Sequence, residues 1–381
     1  MKLIYCIHSL YNPGGMERVL LNKVVWFRVH TDWEIVIVTT DQKNRPTFYP
    51  FPDGVRMVDL GVNYSDDNGK SFLMKLRGFI KRRKIHKRLL NNLLSVEKPD
   101  IVDCFYPGEC SFVPSLKDGS KKVMELHQSK LFHHQYNRSG LMGLADKVRA
   151  KMDERLVRKF DSFVVLTEED AAMWGDVPNI KVIPNAAKFI SSGYSSCQNK
   201  RVIAVGRLDY QKSFDRLIEA WALVQQTDKY SDWCLDIFGQ GEWRDMLQQM
   251  IDERGLQDRV TLNKPTKDIA KEYAASSMLV MSSNYEGFPM VMIEAMSKGL
   301  PIVTFDFKCG PKDIIQHGEN GLIVKNGDIE GLAKTMISMM RDDAARKRMG
   351  ENAKKVVETY SEEAVMKQWI ELFNTLVERS A

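Results

Sequence analysis

Val202-Ile203-Ala204-Val205-Gly206-Arg207-Leu208-Asp209-Tyr210-Gln211-Lys212-Ser213 reads as a buried strand, a glycine turn and the approach to a helix over Phe214–Val224. The N-terminus follows the same plan: the apolar run Leu3–Ile7 leads to Asn12-Pro13-Gly14-Gly15, and a helix is expected over Glu17–Phe27. Short apolar runs of this kind fit strands covered on both faces. Others fall at Ile35–Thr39, Ile101–Cys104, Val123–Leu126 and Phe163–Leu166 in the first half of the chain. The second half adds Cys234–Phe238, Val260–Leu262, Leu279–Ser282 and Ile302–Phe305, with helical periodicity at Trp243–Arg254 and Gly331–Met340. Alternation of strand and helix implies an α/β fold, with parallel sheets and helices on both faces. Two Rossmann-like domains are expected, 1–190 and 191–360, parted near Ile183-Pro184-Asn185 and the polar stretch Ser191–Lys200. Glu362–Glu378, with Trp369, Phe373 and Leu376, reads as a terminal helix within 361–381 that packs on the first domain. In such sheets ligands bind beyond the carboxyl ends of the strands, and two facing halves would enclose a cleft.

The chain of 381 residues is too long for one core and comfortable for two domains. Its 44% hydrophobic and 28% charged content is ordinary for a soluble protein. No apolar run is long enough for a membrane span, and no small-residue cleavage site follows the first strand, so a cytoplasmic protein is expected. The six cysteines are scattered without a Cys-x-x-Cys pair and read as reduced packing residues. The net charge of +5 is uneven: residues 1–199 carry +8 and residues 200–381 carry −3. Eight cations and no acid lie between Lys75 and Arg88: Lys75, Arg77, Lys81, Arg82, Arg83, Lys84, Lys87 and Arg88. Leu73, Leu76, Phe79 and Ile80 form an apolar stripe at helical spacing, continued by Ile85, Leu89 and Leu93. A basic amphipathic helix suits an anionic membrane surface; a solvated face over a buried one is the alternative. No aromatic-interleaved groove accompanies the charge, which argues against nucleic acid.

Chemistry concentrates in Asn284-Tyr285-Glu286-Gly287-Phe288-Pro289-Met290-Val291-Met292-Ile293-Glu294. Pro289 suits the first helical position, which places Glu286 in the preceding loop and Glu294 about two turns in. A glycine-preceded helix start offers free N–H groups and a positive dipole end to phosphate. The flanking carboxylates cannot hold phosphate but accept hydrogen bonds from sugar and ribose hydroxyls. Arg207 and Lys212 follow the Val202–Val205 strand, where a forked guanidinium and a point charge can neutralise a diphosphate. Gly14-Gly15 lets backbone approach a ligand at another helix start. His127 ends the strand Val123–Leu126. Gly239-Gln240-Gly241 resembles a dinucleotide fingerprint, but Arg244 stands at the third glycine position, which demotes an NAD site. No Asp-x-Asp, His-Glu-x-x-His, clustered Cys/His or Gly-x-Ser-x-Gly occurs, so neither a metal site nor a serine hydrolase is expected.

In order and spacing these motifs resemble those of the retaining glycosyltransferases of family 4, which have the GT-B fold. The resemblance covers essentially the whole chain, is strongest from Arg201 to Val324, and implies an acceptor-side domain over 1–190 and a nucleotide-sugar-binding domain over 191–360. It rests on Glu286 and Glu294 with seven residues between them, Gly206-Arg207-Leu208 with Lys212, Gly14-Gly15, Ile183-Pro184-Asn185 and Gly318-Glu319-Asn320-Gly321. By this resemblance Arg207 and Lys212 bind the diphosphate of a nucleotide-sugar donor, with the backbone of Gly15 and of Phe288, Pro289, Met290 and Val291 beside Gly287. Glu286 contacts the transferred sugar, Glu294 the ribose, and His127 acts at the sugar. Asn263-Lys264-Pro265 occupies the loop expected to meet the nucleobase, without the usual glycine. Asn185 matches a junction asparagine, but Ala186 replaces the glycine after it. Cys309-Gly310-Pro311 is placed near the donor.

The implied enzyme transfers a hexose or N-acetylhexosamine from a UDP-linked donor to a glycan or lipid-linked acceptor, with no cofactor and no metal, at the inner face of a membrane. Front-face attack is expected, with Glu286 positioning the sugar; double displacement through Glu286 is the alternative. A GT-B nucleotide-sugar epimerase and a non-catalytic carbohydrate- or lipid-binding protein are the competing classes. Sugar, base, linkage and oligomeric state are left open.

Overall fold

The computed structural model describes residues 1–67, 69, 71–130, 140–187, 193–227 and 232–379. The chain forms two units: Met1–Leu166 with Ala171–Ala186 and Val365–Ala381, and Thr167–Asp170 with Ala187–Ala364. The expected division between residues 190 and 191 lies outside the described residues.

The first unit holds β1 (Lys2–Cys6), β2 (Glu34–Thr39), β3 (Arg56–Asp59), β4 (Ile101–Phe105), β5 (Lys121–Glu125), β6 (Ser162–Val165) and β7 (Ile180–Val182). They form one parallel sheet in the order β3-β2-β1-β4-β5-β6-β7. Alternate side chains of β1 serve opposite faces. Leu3 and Tyr5 pack with Leu20, Val24 and Phe27 of helix α1 (Gly15–His30) and with Trp369 and Phe373 of the terminal helix Glu362–Glu378. Ile4 and Cys6 pack on the other side with Leu90 and Leu94 of helix α2 (Phe72–Glu97).

The second unit holds β8 (Arg201–Val205), β9 (Cys234–Phe238), β10 (Val260–Asn263), β11 (Met278–Met281), β12 (Ile302–Phe305) and β13 (Gly321–Val324). The sheet is again parallel, in the order β10-β9-β8-β11-β12-β13. In both sheets the order reverses beside the first strand, between β1 and β4 and between β8 and β11. Such a reversal opens a crevice at the strands' carboxyl ends, because the flanking connections leave toward opposite faces.

β3, β7 and β13 were not expected from the sequence. Each is an edge strand, and none carries a continuous buried run. The helix after the Glu286 loop is Met290–Ser297, so Pro289 caps it and does not open it. Glu294 therefore lies little more than one turn in, not two. Among the described residues no helix is long and apolar enough to cross a membrane.

Candidate active site

In the second unit the loops after β8 and β11 flank the reversal of strand order and join through Glu286. Glu286 is 6% exposed. Its Oε1 accepts from Lys212 Nζ at 2.6 Å and Ser283 Oγ at 2.8 Å, and its Oε2 accepts from Gln211 Nε2 at 2.9 Å. Gln211 Oε1 in turn accepts from Arg207 Nη2 at 2.6 Å. The Lys212 side chain is 12% exposed, whereas that of Arg207 is 69% exposed and 3.3 Å from Asp209. One cation is thus built into the loop floor and the other stands in solvent. Gln211 and Ser283, which fix the carboxylate, were given no role by the sequence reading.

Glycines let the neighbouring loops close on this cluster. A Cβ on Gly206 would meet the Lys212 side chain at 2.8 Å. One on Gly239 would strike the Gly206 carbonyl oxygen, and one on Gly241 that of Leu208. The Gly239-Gln240-Gly241 turn thereby serves close packing of the β9 loop on the β8 loop. Gly310 has φ of +140°, and a Cβ there would meet Pro289 at 2.5 Å, so the Cys309-Gly310-Pro311 loop lies against the helix start.

The helix start has fewer free donors than its sequence suggests. Pro289 has no N–H, and the Met290 N–H donates to the Phe288 carbonyl oxygen at 3.0 Å. Gly287 is partly exposed and Phe288 buried against the Tyr360 ring. Of the residues named for phosphate, Phe288 and Val291 keep amides outside the described backbone hydrogen bonds. Glu294 Oε2 accepts from the buried Tyr273 hydroxyl at 3.4 Å. Burial raises its carboxyl above the ordinary value, against the pull of Tyr273 and Lys212. Asn263 ends β10 and donates to Asp236 at 3.3 Å, and Lys264 and Pro265 are exposed at the strand's carboxyl end.

In the first unit His127 follows β5 with its side chain 6% exposed. Its ring stacks on Phe105, and Nε2 lies 3.0 Å from Glu125 Oε2. Glu125 Oε1 accepts from Lys23 Nζ at 2.6 Å. Lys23, on α1, is fully buried, 3.9 Å from Asp103 and 3.2 Å over the Trp369 ring. Burial would raise Glu125, but Lys23 and His127 outweigh it and bring it to about 2. Asp103 moves the other way: burial and the Glu125 charge hold it well above the carboxylate range. The two carboxyls are thus driven apart, Asp103 upward and Glu125 downward. A carboxylate accepting from Nε2–H fixes the tautomer and leaves Nδ1 for a ligand.

Gly14 and Gly15 open α1 differently. The Glu17 carboxyl fills the space where a Gly14 Cβ would stand, while nothing lies near that of Gly15. The protein's own acid thus occupies part of the expected anion seat. The fold also gathers Cys6, Cys104 and Glu109, all buried, with ligand-type atoms within 4.8 Å of one another. The sequence spacing could not reveal this group. A hydrogen bond with Cys104 and burial raise the Cys6 thiol, and burial raises that of Cys104, so both are held protonated.

The basic segment lies on α2. Leu73, Leu76, Phe79 and Ile80 are exposed, and burial begins at His86, Leu90 and Leu94, displacing the expected Ile85, Leu89 and Leu93. Lys75, Arg77, Lys81, Lys84, Lys87 and Arg88 are exposed. Arg82 differs: it is 3.0 Å from Asp67 and 3.5 Å from Asp66, which ties α2 to the turn Tyr64–Asp67. Arg83 and Lys87 reach Ser111 and Ser115 at 3.3 and 2.9 Å.

A family model described as "Glycosyl transferases group 1" matches residues 194–356. The chain is 31% identical over 372 residues to an uncharacterized glycosyltransferase of Haemophilus influenzae, covering 97% of this chain and 98% of that one. It is 29% identical over 346 residues to the poly(ribitol-phosphate) alpha-N-acetylglucosaminyltransferase of Staphylococcus aureus, covering 88% of this chain and 69% of that protein. It spans only 24% of the length of the Streptomyces coelicolor exopolysaccharide phosphotransferase SCO2592, at 35% identity over 225 residues, or 58% of this chain. The crystal structure of TarM matches with a TM-score of 0.78 at 21% identity, covering 98% of each chain. A mutant of S. aureus TarM solved with fondaparinux, alpha-GlcNAc-glycerol and UDP gives 0.72 at 21% identity, covering 98% of this chain and 99% of that one. The fold is that of the GT-B glycosyltransferases.

Proposed function

The chain belongs to the group 1 glycosyl transferases, and we propose that it is a retaining, family-4-type enzyme moving a hexose or N-acetylhexosamine from a UDP-linked donor to a glycan or lipid-linked acceptor of the cell surface. The observation that carries this is Glu286 held by Lys212, Gln211 and Ser283 at the reversal of strand order, with Arg207 one hydrogen bond further out. The name of the S. aureus relative and the UDP bound to TarM favour a surface polymer and a uridine donor.

Breaking the bond between sugar and diphosphate leaves positive charge on the anomeric carbon and an electron pair on the departing phosphate. Arg207, Lys212 and the amides of Phe288 and Val291 take up that negative charge without a metal, at about 3–4 kcal/mol per key donor. The acceptor oxygen attacks from the leaving-group face and its proton passes to the departing phosphate oxygen, which retains configuration. Both Glu286 oxygens already accept hydrogen bonds, one from a buried ammonium. A carboxylate so stabilised is a poor nucleophile and a good anchor for sugar hydroxyls. Glu294 takes the ribose, His127 Nδ1 a sugar hydroxyl, and Asn263-Lys264-Pro265 the base. The cations of α2 bring the enzyme to an anionic, inner membrane face.

Thermal stabilisation by a panel of UDP- and GDP-sugars, followed by NMR of the product's anomeric configuration, tests this. A UDP-sugar is expected to stabilise and to give a retained linkage. An inverted product removes the mechanism, sugar epimerised without acceptor makes the protein an epimerase, and a sugar trapped on Glu286 restores double displacement. If no nucleotide sugar stabilises the protein, the donor assignment is wrong.

A further inference from the structure

A cavity of about 860 Å³ lies within the first unit. It is lined by His8, Thr40 and Tyr106, which follow β1, β2 and β4 at their carboxyl ends, on both sides of the reversal in strand order. Its walls are apolar: Phe79 of α2, Phe112, and Met152 and Leu156 of helix α3 (Gly140–Val157). Cations Lys75, Arg83 and Arg149 also line it. Of the three acids there, Asp67 is taken by Arg82 at 3.0 Å and Asp153 accepts from the Tyr106 hydroxyl at 2.8 Å. The third, Glu109, is 1% exposed, and its Oε1 has no hydrogen-bond partner among the described residues. Neither Lys75 nor Arg83 forms an ion pair among those residues.

The same two helices leave apolar side chains in solvent: Leu76 and Ile80 on α2 are 46% and 49% exposed, and Leu144 and Val148 on α3 are 59% and 52% exposed. Exposed apolar faces beside an apolar cavity do not suit a hydrophilic glycan, which is held by dense hydrogen bonding. Unpaired cations on the same walls do not suit a neutral lipid. We propose that this cavity is the acceptor site and that the acceptor is lipid-linked: an apolar chain carrying a phosphate or diphosphate. The chain lies against Phe79, Phe112, Met152 and Leu156. Its phosphate meets Arg83 and Lys75, and the hydroxyl-bearing head points to the strand ends, where the orphaned Glu109 oxygen awaits a donor. The word acceptor rests on the glycosyltransferase assignment; the lipid-phosphate site does not.

Titration calorimetry of the full chain with farnesyl diphosphate, farnesol and inorganic pyrophosphate separates the contributions, with a UDP-sugar as an independent arm. Farnesyl diphosphate is expected to bind at least ~10-fold more tightly than either fragment, because chain and phosphate are both recognised. Met152→Asp and Phe79→Asp change exposed positions and should each weaken farnesyl diphosphate ~10-fold while leaving UDP-sugar binding intact. Arg83→Ala should remove the advantage of the diphosphate over farnesol. Equal binding of pyrophosphate, or farnesyl diphosphate binding indifferent to both Asp variants, overturns the site. UDP-sugar binding without farnesyl diphosphate binding sinks the lipid site and spares the donor assignment; the reverse pattern sinks the donor assignment alone.

Discussion

Arg207 and Lys212 lie on one loop but in different surroundings, and their substitutions should separate accordingly. The Arg207 guanidinium is largely in solvent, so Arg207→Ala should leave the melting temperature unchanged and lower transfer ~100- to 1,000-fold. Lys212 is buried against Glu286. Lys212→Ala should cost transfer similarly and also ~1–3 kcal/mol of stability, since an acceptor loses its donor; thermal unfolding with initial rates separates the two. At His127 the decisive partner is Glu125, two residues back. Glu125→Gln should depress kcat more than donor affinity, while Lys23→Met, which strands a buried carboxylate, should cost ~3–5 kcal/mol in urea unfolding. Loss of donor affinity with kcat unchanged in Glu125→Gln would assign Glu125 to ground-state binding. That Arg207, Lys212, Glu286 and His127 stand in loops at strand ends was legible, because short apolar runs mark the strands they follow. Lys23, Asp103 and Gln211 were not, because the Lys23–Glu125 bond closes over 102 positions and the Gln211–Glu286 bond over 75.

Among the elements, α2 carries two kinds of cation, paired and solvated, that its sequence pattern blended. Arg82 ties it to Tyr64–Asp67, whereas Lys81 and Lys84 face solvent. Replacing Lys81 and Lys84 by Glu should reduce flotation with anionic vesicles without changing the melting temperature. Arg82→Ala should do the opposite, and equal partitioning with neutral and anionic vesicles would remove the membrane role. The β8 and β9 loops give a second contrast. Gly239→Ala drives a methyl into the Gly206 carbonyl and should lower both stability and nucleotide-sugar affinity, while Gly15→Ala meets open space and should leave stability unaltered. Central strands and long helices were readable from periodicity, since their burial is nearly continuous. The edge strands β3, β7 and β13 were not, since none carries a continuous run of buried side chains.

At the scale of the whole molecule, buried acids set the dependence of stability on pH. Burial raises Glu109 from 4.5 to about 7. The folded state therefore holds more protons than the unfolded one between those values. Its contribution is present below pH 4.5 and is lost as pH rises toward 7, reaching about 3 kcal/mol. Glu109→Gln should gain stability relative to the parent between pH 5 and 8, measured as a difference in melting temperature, and a pH-independent difference would mean Glu109 is ionised throughout. His86 acts oppositely in acid: burial lowers it from 6.5 to about 4, so its stabilising effect disappears as pH falls through that interval.

The order of apolar runs and glycine turns determined by itself that this chain builds parallel α/β sheets, because strand and helix periods are local properties of a few residues. The loops bearing Glu286, Lys212 and His127 were equally local, each a short polar segment at the end of an apolar run. Which strands stand side by side was a tertiary decision, and with it everything that spans the reversals of strand order. The grip on Glu286, the buried Lys23–Glu125 pair behind His127, and the cavity between α2 and α3 arise from packing groups far apart in sequence. Burial then sets which of their acids stay charged, through desolvation that no spacing encodes.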